Sequence, residues 1–258
     1  MQNPTYYISV DIEGMSGFGA GSGTEFDQIL LREHITATAA GLKDGGAGRL
    51  QVKSFHGLPN GLPEYLEQIP STSWDDPDLP SIASDCKGLI LLGFHGLEPE
   101  CAFGHSYHHP YLMLNGERVG EITVQIYLAA SKGIPTILIA GDGHAVLEAN
   151  RICGSIGSVN IRKGIKKNEG DMDRRILAGI REAALLAAQS SVPIPKLPSH
   201  FCLEIPMRSR KAAILLERAG YGPRRNGNQV SYEASGFGDI YRFLTDSFKA
   251  SIEAATAG

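Results

Sequence analysis

Asp11 and Glu13 stand two residues apart where the apolar run Tyr6 to Asp11 ends, so an extended chain turns both carboxylates to one side. Two acids held together at a buried edge raise each other's pKa unless a cation lies between them. The plainer alternative is a cap on the following helix, or an ion pair with Arg32. Other donors stand at comparable places: His56 after the run Leu50 to Phe55, His95 after Leu89 to Phe94, and Asp142 after Pro135 to Ala140. Glu121 follows Gly120 in the first turn of an expected helix, where the helix dipole alone favours a carboxylate. Carboxylates mixed with imidazoles suit zinc or a similar divalent ion. Asp11, Glu13, His56, His95 and Glu121 together exceed what one tetrahedral site needs, which makes a carboxylate shared between two ions the economical arrangement. A pair of such ions generates a nucleophile at neutral pH and polarises a carbonyl.

The stretch Gly104 to Pro110 holds His105, His108 and His109, three of the eight histidines. Neighbouring His108 and His109 point apart, which argues against a metal box. One of the three acting as a general acid/base beside the metal site needs the near-neutral pKa that imidazole supplies. A surface loop that is merely rich in histidine is the third reading.

Positioning these residues requires strand ends at one edge, and the pattern supplies them. Short β-branched runs alternate with amphipathic segments, as in a parallel sheet covered by helices. Leu89 to Phe94 is nearly all apolar and reads as a central strand. A Gly-rich loop runs from Gly14 to Gly23, and Thr24 reads as the cap of a helix over Phe26 to Leu42. Asn115-Gly116 between two short runs is a hairpin signal. A helix over Gly120 to Lys132 and a long Ala-rich helix from Met172 to Gln189 follow. Three prolines between Val192 and Pro198 mark a semi-rigid boundary. The expected fold is α/β: a mostly parallel sheet with helices on both faces over residues 1–192, then a smaller α+β domain over residues 193–258.

Composition narrows the function classes. With 258 residues, 42% apolar and 20% charged, the chain can bury a substantial core without cross-links. A net charge of −4 gives no long-range attraction to nucleic acid or an anionic membrane. The densest basic run, Arg162 to Lys167, reads as a solvated loop. No apolar stretch is long enough for a transmembrane helix, and no leader pattern opens the chain. Cys86, Cys101, Cys153 and Cys202 are widely spaced, which fits an unstapled fold in a reducing cytoplasm.

The segment Ser9 to Gly17 (SVDIEGMSG) resembles the opening S-V-D-x-E-G-x-S-G of the zinc D-aminopeptidase family, the M55 peptidases of the DppA type. Leu91 to His95 (LLGFH), Gly104 to Ser106 (GHS), Asn115 to Glu121 (NGERVGE) and Ala140 to Asp142 (AGD) are similar to later elements of that family, in the same order. The resemblance implies that Asp11 bridges two zinc ions, that Glu13 and His56 complete one site, and that His95 and Glu121 complete the other. It implies that His105 is the catalytic histidine. It also implies an aminopeptidase acting on short peptides with D-residues at the amino end, assembled as a homo-oligomeric ring. The family pattern carries an Asp two residues before the second-strand His, where this chain has Ser54 and so lacks a carboxylate to orient His56. The other readings are an amidase or esterase on a non-peptide substrate and a non-catalytic metal- or metabolite-binding relative. A nucleotide site in the Gly14 to Gly23 loop ranks last, since no G-x-x-x-x-G-K-[ST] pattern is present.

Overall fold

Every residue of β1 (Thr5–Val10) is buried, as a strand covered on both faces must be. The computed structural model describes residues 4–15, 18, 25–54, 56–69, 85–97, 106–107, 109–162, 174–221 and 223–256. The chain continues through α1 (Glu25–Asp44), β2 (Arg49–Ser54), β3 (Leu66–Gln68), β4 (Cys86–Phe94), β5 (Leu112–Leu114), β6 (Glu117–Val119) and α2 (Glu121–Ser131). Next come β7 (Thr136–Gly141), α3 (Gly143–Cys153), β8 (Gly157–Asn160) and α4 (Arg174–Gln189). After the proline-rich stretch follow β9 (Phe201–Pro206), α5 (Arg210–Leu216), β10 (Arg224–Asn226), β11 (Gln229–Ala234) and α6 (Phe237–Thr256). The strands and helices foreseen from sequence are present with ends displaced by one to a few residues. Among the described residues β3 and β10 escaped, being three residues each and too short to show a pattern. Thr24 and most of the Gly14 to Gly23 loop lie outside the described residues.

The first of two compact units carries a parallel sheet in the order β3-β2-β1-β4-β7-β8. Order runs outward from β1 one way and from β4 the other, so the adjoining β1 and β4 form the switch point where open α/β sheets collect ligands. Their ends are stitched together: Asp11 N donates to Leu92 O at 2.8 Å and Gly14 N to Gly93 O at 2.8 Å. α1 and α4 lie together, with Ile180, Ala184 and Ala187 of α4 buried at helical spacing and the Tyr6 hydroxyl donating to Ala188 O at 3.0 Å.

The second unit is an antiparallel sheet in the order β10-β11-β9-β5-β6, with α2, α5 and α6. β9 alternates, burying Phe201, Leu203 and Ile205. The apolar face of α6 (Phe237, Ile240, Phe243, Leu244, Phe248) adds rings: Phe237 meets Tyr127 and Phe201, and Phe243, nearly two turns on, meets Tyr221 and Tyr232. Although residues 112–119 precede the proline-rich stretch by some distance in the chain, β5 pairs with β9 through Met113↔Glu204 and Leu114↔Leu203. Among the described residues no helix is long and apolar enough to cross a membrane.

The Asn115-Gly116 turn closes the hairpin with φ of 52° and 80°. Asn115 also ties it to β9: Oδ1 accepts from Cys202 N at 2.7 Å and Nδ2 donates to His200 O at 3.1 Å. Asn115→Ala is expected to lose both bonds and to strain the left-handed backbone, lowering stability by about 1–3 kcal/mol in urea denaturation. Asn115→Gly should recover only the backbone share.

Candidate metal centre

The first cluster grows from the ends of β1 and β2. Asp11 and Glu13 are buried and share one backbone donor, Ile12 N, at 2.8 Å from Asp11 Oδ1 and 3.3 Å from Glu13 Oε2. His56, two residues past β2, brings Nε2 to 3.1 Å from Asp11 Oδ1 and 3.1 Å from Glu13 Oε2. Ser54 Oγ accepts from His56 N at 3.1 Å, so the residue standing in for the family's carboxylate fixes the backbone of His56. Burial by itself would lower the pKa of His56, but its hydrogen bonds to Asp11 and Glu13 and their charges outweigh that, pushing it up to about 10. Burial pulls Glu13 upward, yet the bonds to His56 and Asp11 hold it well below the usual carboxylate range. This is a site that selects positive charge.

Donor spacing tests whether a metal ion fits. At the roughly 2.1 Å typical of zinc–oxygen and zinc–nitrogen bonds, tetrahedral ligands stand about 3.4 Å apart. The donor atoms of Asp11, Glu13 and His56 all lie within 4.8 Å of one another. Three ligands of the right chemistry at such spacing fit a divalent cation.

His95 enters from the end of β4. Its Nδ1 lies 2.8 Å from Gly96 O, and since a carbonyl only accepts, that nitrogen carries the hydrogen. Neutral imidazole then keeps its lone pair on Nε2, which faces Asp11 Oδ2 at 3.7 Å. A ligating histidine characteristically donates its other N–H to a carbonyl in this way. The separation exceeds a hydrogen bond and suits two ligands of one ion. Asp11 thus offers Oδ1 to one imidazole and Oδ2 to another.

Glu121 opens α2 in the second unit, half-buried, with Oε1 accepting from Tyr107 N at 2.8 Å. His105 and His108 lie outside the described residues. His109 is fully buried, its Nε2 2.9 Å from Ser247 Oγ, whose own hydrogen goes to Leu244 O at 2.6 Å. That places His109 in the core of the second unit. Asp142 caps α3, accepting from Ala145 N at 2.8 Å, and also accepts from Gly96 N at 3.0 Å. Its position before Gly143-His144 at a strand-to-helix junction is the cue for the cap; nothing local signals the second bond.

Arg162 corrects the expectation of a solvated basic loop. Its Nη1 donates to Glu13 O at 2.8 Å and Nη2 to Phe18 O at 3.3 Å, fastening the segment after β1 from a point 149 residues downstream. The rest of that basic run lies outside the described residues.

The M55 peptidase family model, described as D-aminopeptidase, matches residues 5–245. A curated D-aminopeptidase of Bacillus subtilis (strain 168) is 23% identical over 185 residues, which is 63% of this chain and 65% of that protein, a little under two thirds of its length. The solved structure of Zn-dependent D-aminopeptidase DppA from Bacillus subtilis, a self-compartmentalizing protease, matches with a TM-score of 0.84 at 17% identity, covering 96% of this chain and 98% of that one. At that identity the likeness speaks for the fold.

Proposed function

Because the chain belongs to the M55 family of D-aminopeptidases, we propose that it is a zinc-dependent aminopeptidase that hydrolyses the N-terminal amide of short peptides, with D-amino acids at the amino end. The first ion is assigned to Asp11, Glu13 and His56. The second is assigned to Asp11, His95 and Glu121, the last supported by the family pattern and by the bond from Tyr107 that holds its carboxylate. Two ions per chain, bound there, supply Lewis acidity and a nucleophile at neutral pH. Asp11 divides its negative charge between the two positions, His95 offers a neutral nitrogen, and His56 offers one once a bound cation displaces its proton. In the reaction the oxygen of water bonds to the carbonyl carbon, the C–N bond breaks and a proton reaches the departing nitrogen. Moving that proton is the role assigned to His105.

The observation that carries this reading is the single carboxylate of Asp11 with its two oxygens aimed at two imidazoles, at 3.1 Å and 3.7 Å. A homo-oligomeric ring is supported by the self-compartmentalizing relative. A cytoplasmic location is supported by the free thiols of Cys86, Cys153 and Cys202, of which burial pushes Cys86 and Cys153 up to about 11.

Stripping the protein with a chelator is expected to abolish cleavage of D-aminoacyl peptides, and zinc to restore it. L-aminoacyl peptides and esters in the same panel define the substrate class. His105→Ala is expected to keep zinc and lose turnover. Hydrolysis indifferent to chelator and to added zinc would remove the proposal.

A further inference from the structure

We propose that Asp142 is a positioning residue for His95, acting through the backbone at Gly96; this deepens the metal reading above and rests on it. Asp142 is buried just past β7, and its two carboxylate oxygens serve different amides. Oδ1 accepts from Ala145 N at 2.8 Å, the ordinary duty of a helix cap. Oδ2 accepts from Gly96 N at 3.0 Å, across 46 residues of sequence, which a cap does not require. The same peptide neighbourhood is braced by Asp142 N donating to Phe94 O at 3.1 Å.

Gly96 therefore has both polar groups committed: its N–H to Asp142 and its C=O to Nδ1–H of His95 at 2.8 Å. The N–H lies in the peptide plane that joins His95 to Gly96, so Asp142 fixes that plane, and the C=O lies in the next plane, one φ/ψ pair away. The relay fixes the imidazole plane of His95 and keeps its proton on Nδ1, leaving the Nε2 lone pair directed towards Asp11. A metal-ligating histidine depends on such a partner for tautomer and orientation. Here the partner is a backbone carbonyl, and Asp142 anchors the peptide plane next to it, between His95 and Gly96.

Asp142→Ser separates this role from capping, because Ser caps helices about as well as Asp but has one oxygen on a shorter stem and does not serve both amides. Metal-free wild type, Asp142→Ser, Asp142→Asn and His95→Ala are titrated with zinc against a competing chelator, with Tm of the metal-free proteins as control. The expected result is binding of one ion weakened about 10–100-fold in Asp142→Ser, with the other ion and the metal-free Tm close to wild type, and loss of that same ion in His95→Ala. Nitrogen-15 spectra of the imidazoles give a second readout: His95 holds its hydrogen on Nδ1 in wild type and divides it between both nitrogens in the variant. Should Asp142→Ser fail to fold, Asp142→Asn carries the comparison, since one of its two contacts must become donor against donor. Wild-type zinc affinity in the Asp142 variants, beside a lost ion in His95→Ala, makes Asp142 a cap alone and overturns the proposal. Wild-type affinity in His95→Ala removes the metal reading itself, and the proposal with it.

Discussion

Asp11→Ala is expected to cost the protein both zinc ions together. The carboxylate of Asp11 faces His56 with one oxygen and His95 with the other, so each group of donors loses a member when it is removed. Of the donors proposed above, Glu13 with His56 would remain for one ion and His95 with Glu121 for the other, too few for a firmly held ion. Elemental analysis of purified protein should find zinc near zero, and kcat/KM should fall beyond the roughly 10²-fold ceiling for loss of an outer-sphere partner. Glu13→Ala, by contrast, touches one group of donors only and should spare one ion. If Asp11 served as a local cap or charge partner, zinc content would survive its removal, and an unchanged content would end the shared-carboxylate account.

Gly93→Ala should damage fold and site at once. Gly93 lies in β4 at φ +77°, a conformation that costs an L-residue about 1–2 kcal/mol. Space is the harsher obstacle: an added Cβ would stand 2.1 Å from Asp11 O and 2.8 Å from the side chain of Met15. The first of these atoms is backbone, held where Asp11 N bonds to Leu92 O, so relief requires parting β1 from β4 at the switch point. A loss of stability above about 3 kcal/mol, and so a fall in Tm on the order of 10 °C, is expected by calorimetry. Zinc binding should fall too, since Asp11 is the residue displaced. Gly179→Ala is the control: it lies in α4 with nothing within 4 Å of a new Cβ and should be neutral or slightly stabilising.

Asp11, Glu13, His56 and His95 are legible in the sequence because each follows an apolar run, and in parallel sheets such ends share an edge. The structure brings those four together in the first unit. The Asn115-Gly116 dipeptide likewise marked the hairpin, and amphipathic segments marked the long helices. Other features depend on contacts that no local pattern encodes. The bond from Asp142 to Gly96 spans 46 residues and the grip of Arg162 on Glu13 spans 149. Ser54 looked like a missing carboxylate, whereas its hydroxyl holds the backbone of His56, a role any inventory of charged ligands overlooks. His109 was one of three neighbouring histidines in sequence, and only its full burial against Ser247 separates it from chemistry.

The pairing of β5 with β9 bears on any attempt to produce the protein in pieces. A fragment ending at residue 192 retains β5 and β6 but forfeits β9, β10 and β11, leaving the hairpin's outer flank stripped of its hydrogen-bonding mate. Exposed strand flanks of that kind recruit other chains, so such a fragment tends to self-associate. Its complement, starting at residue 193, has the mirror defect along β9. Splitting this polypeptide for two-part reconstitution therefore calls for a cut elsewhere, or for both halves to be made in the same cell.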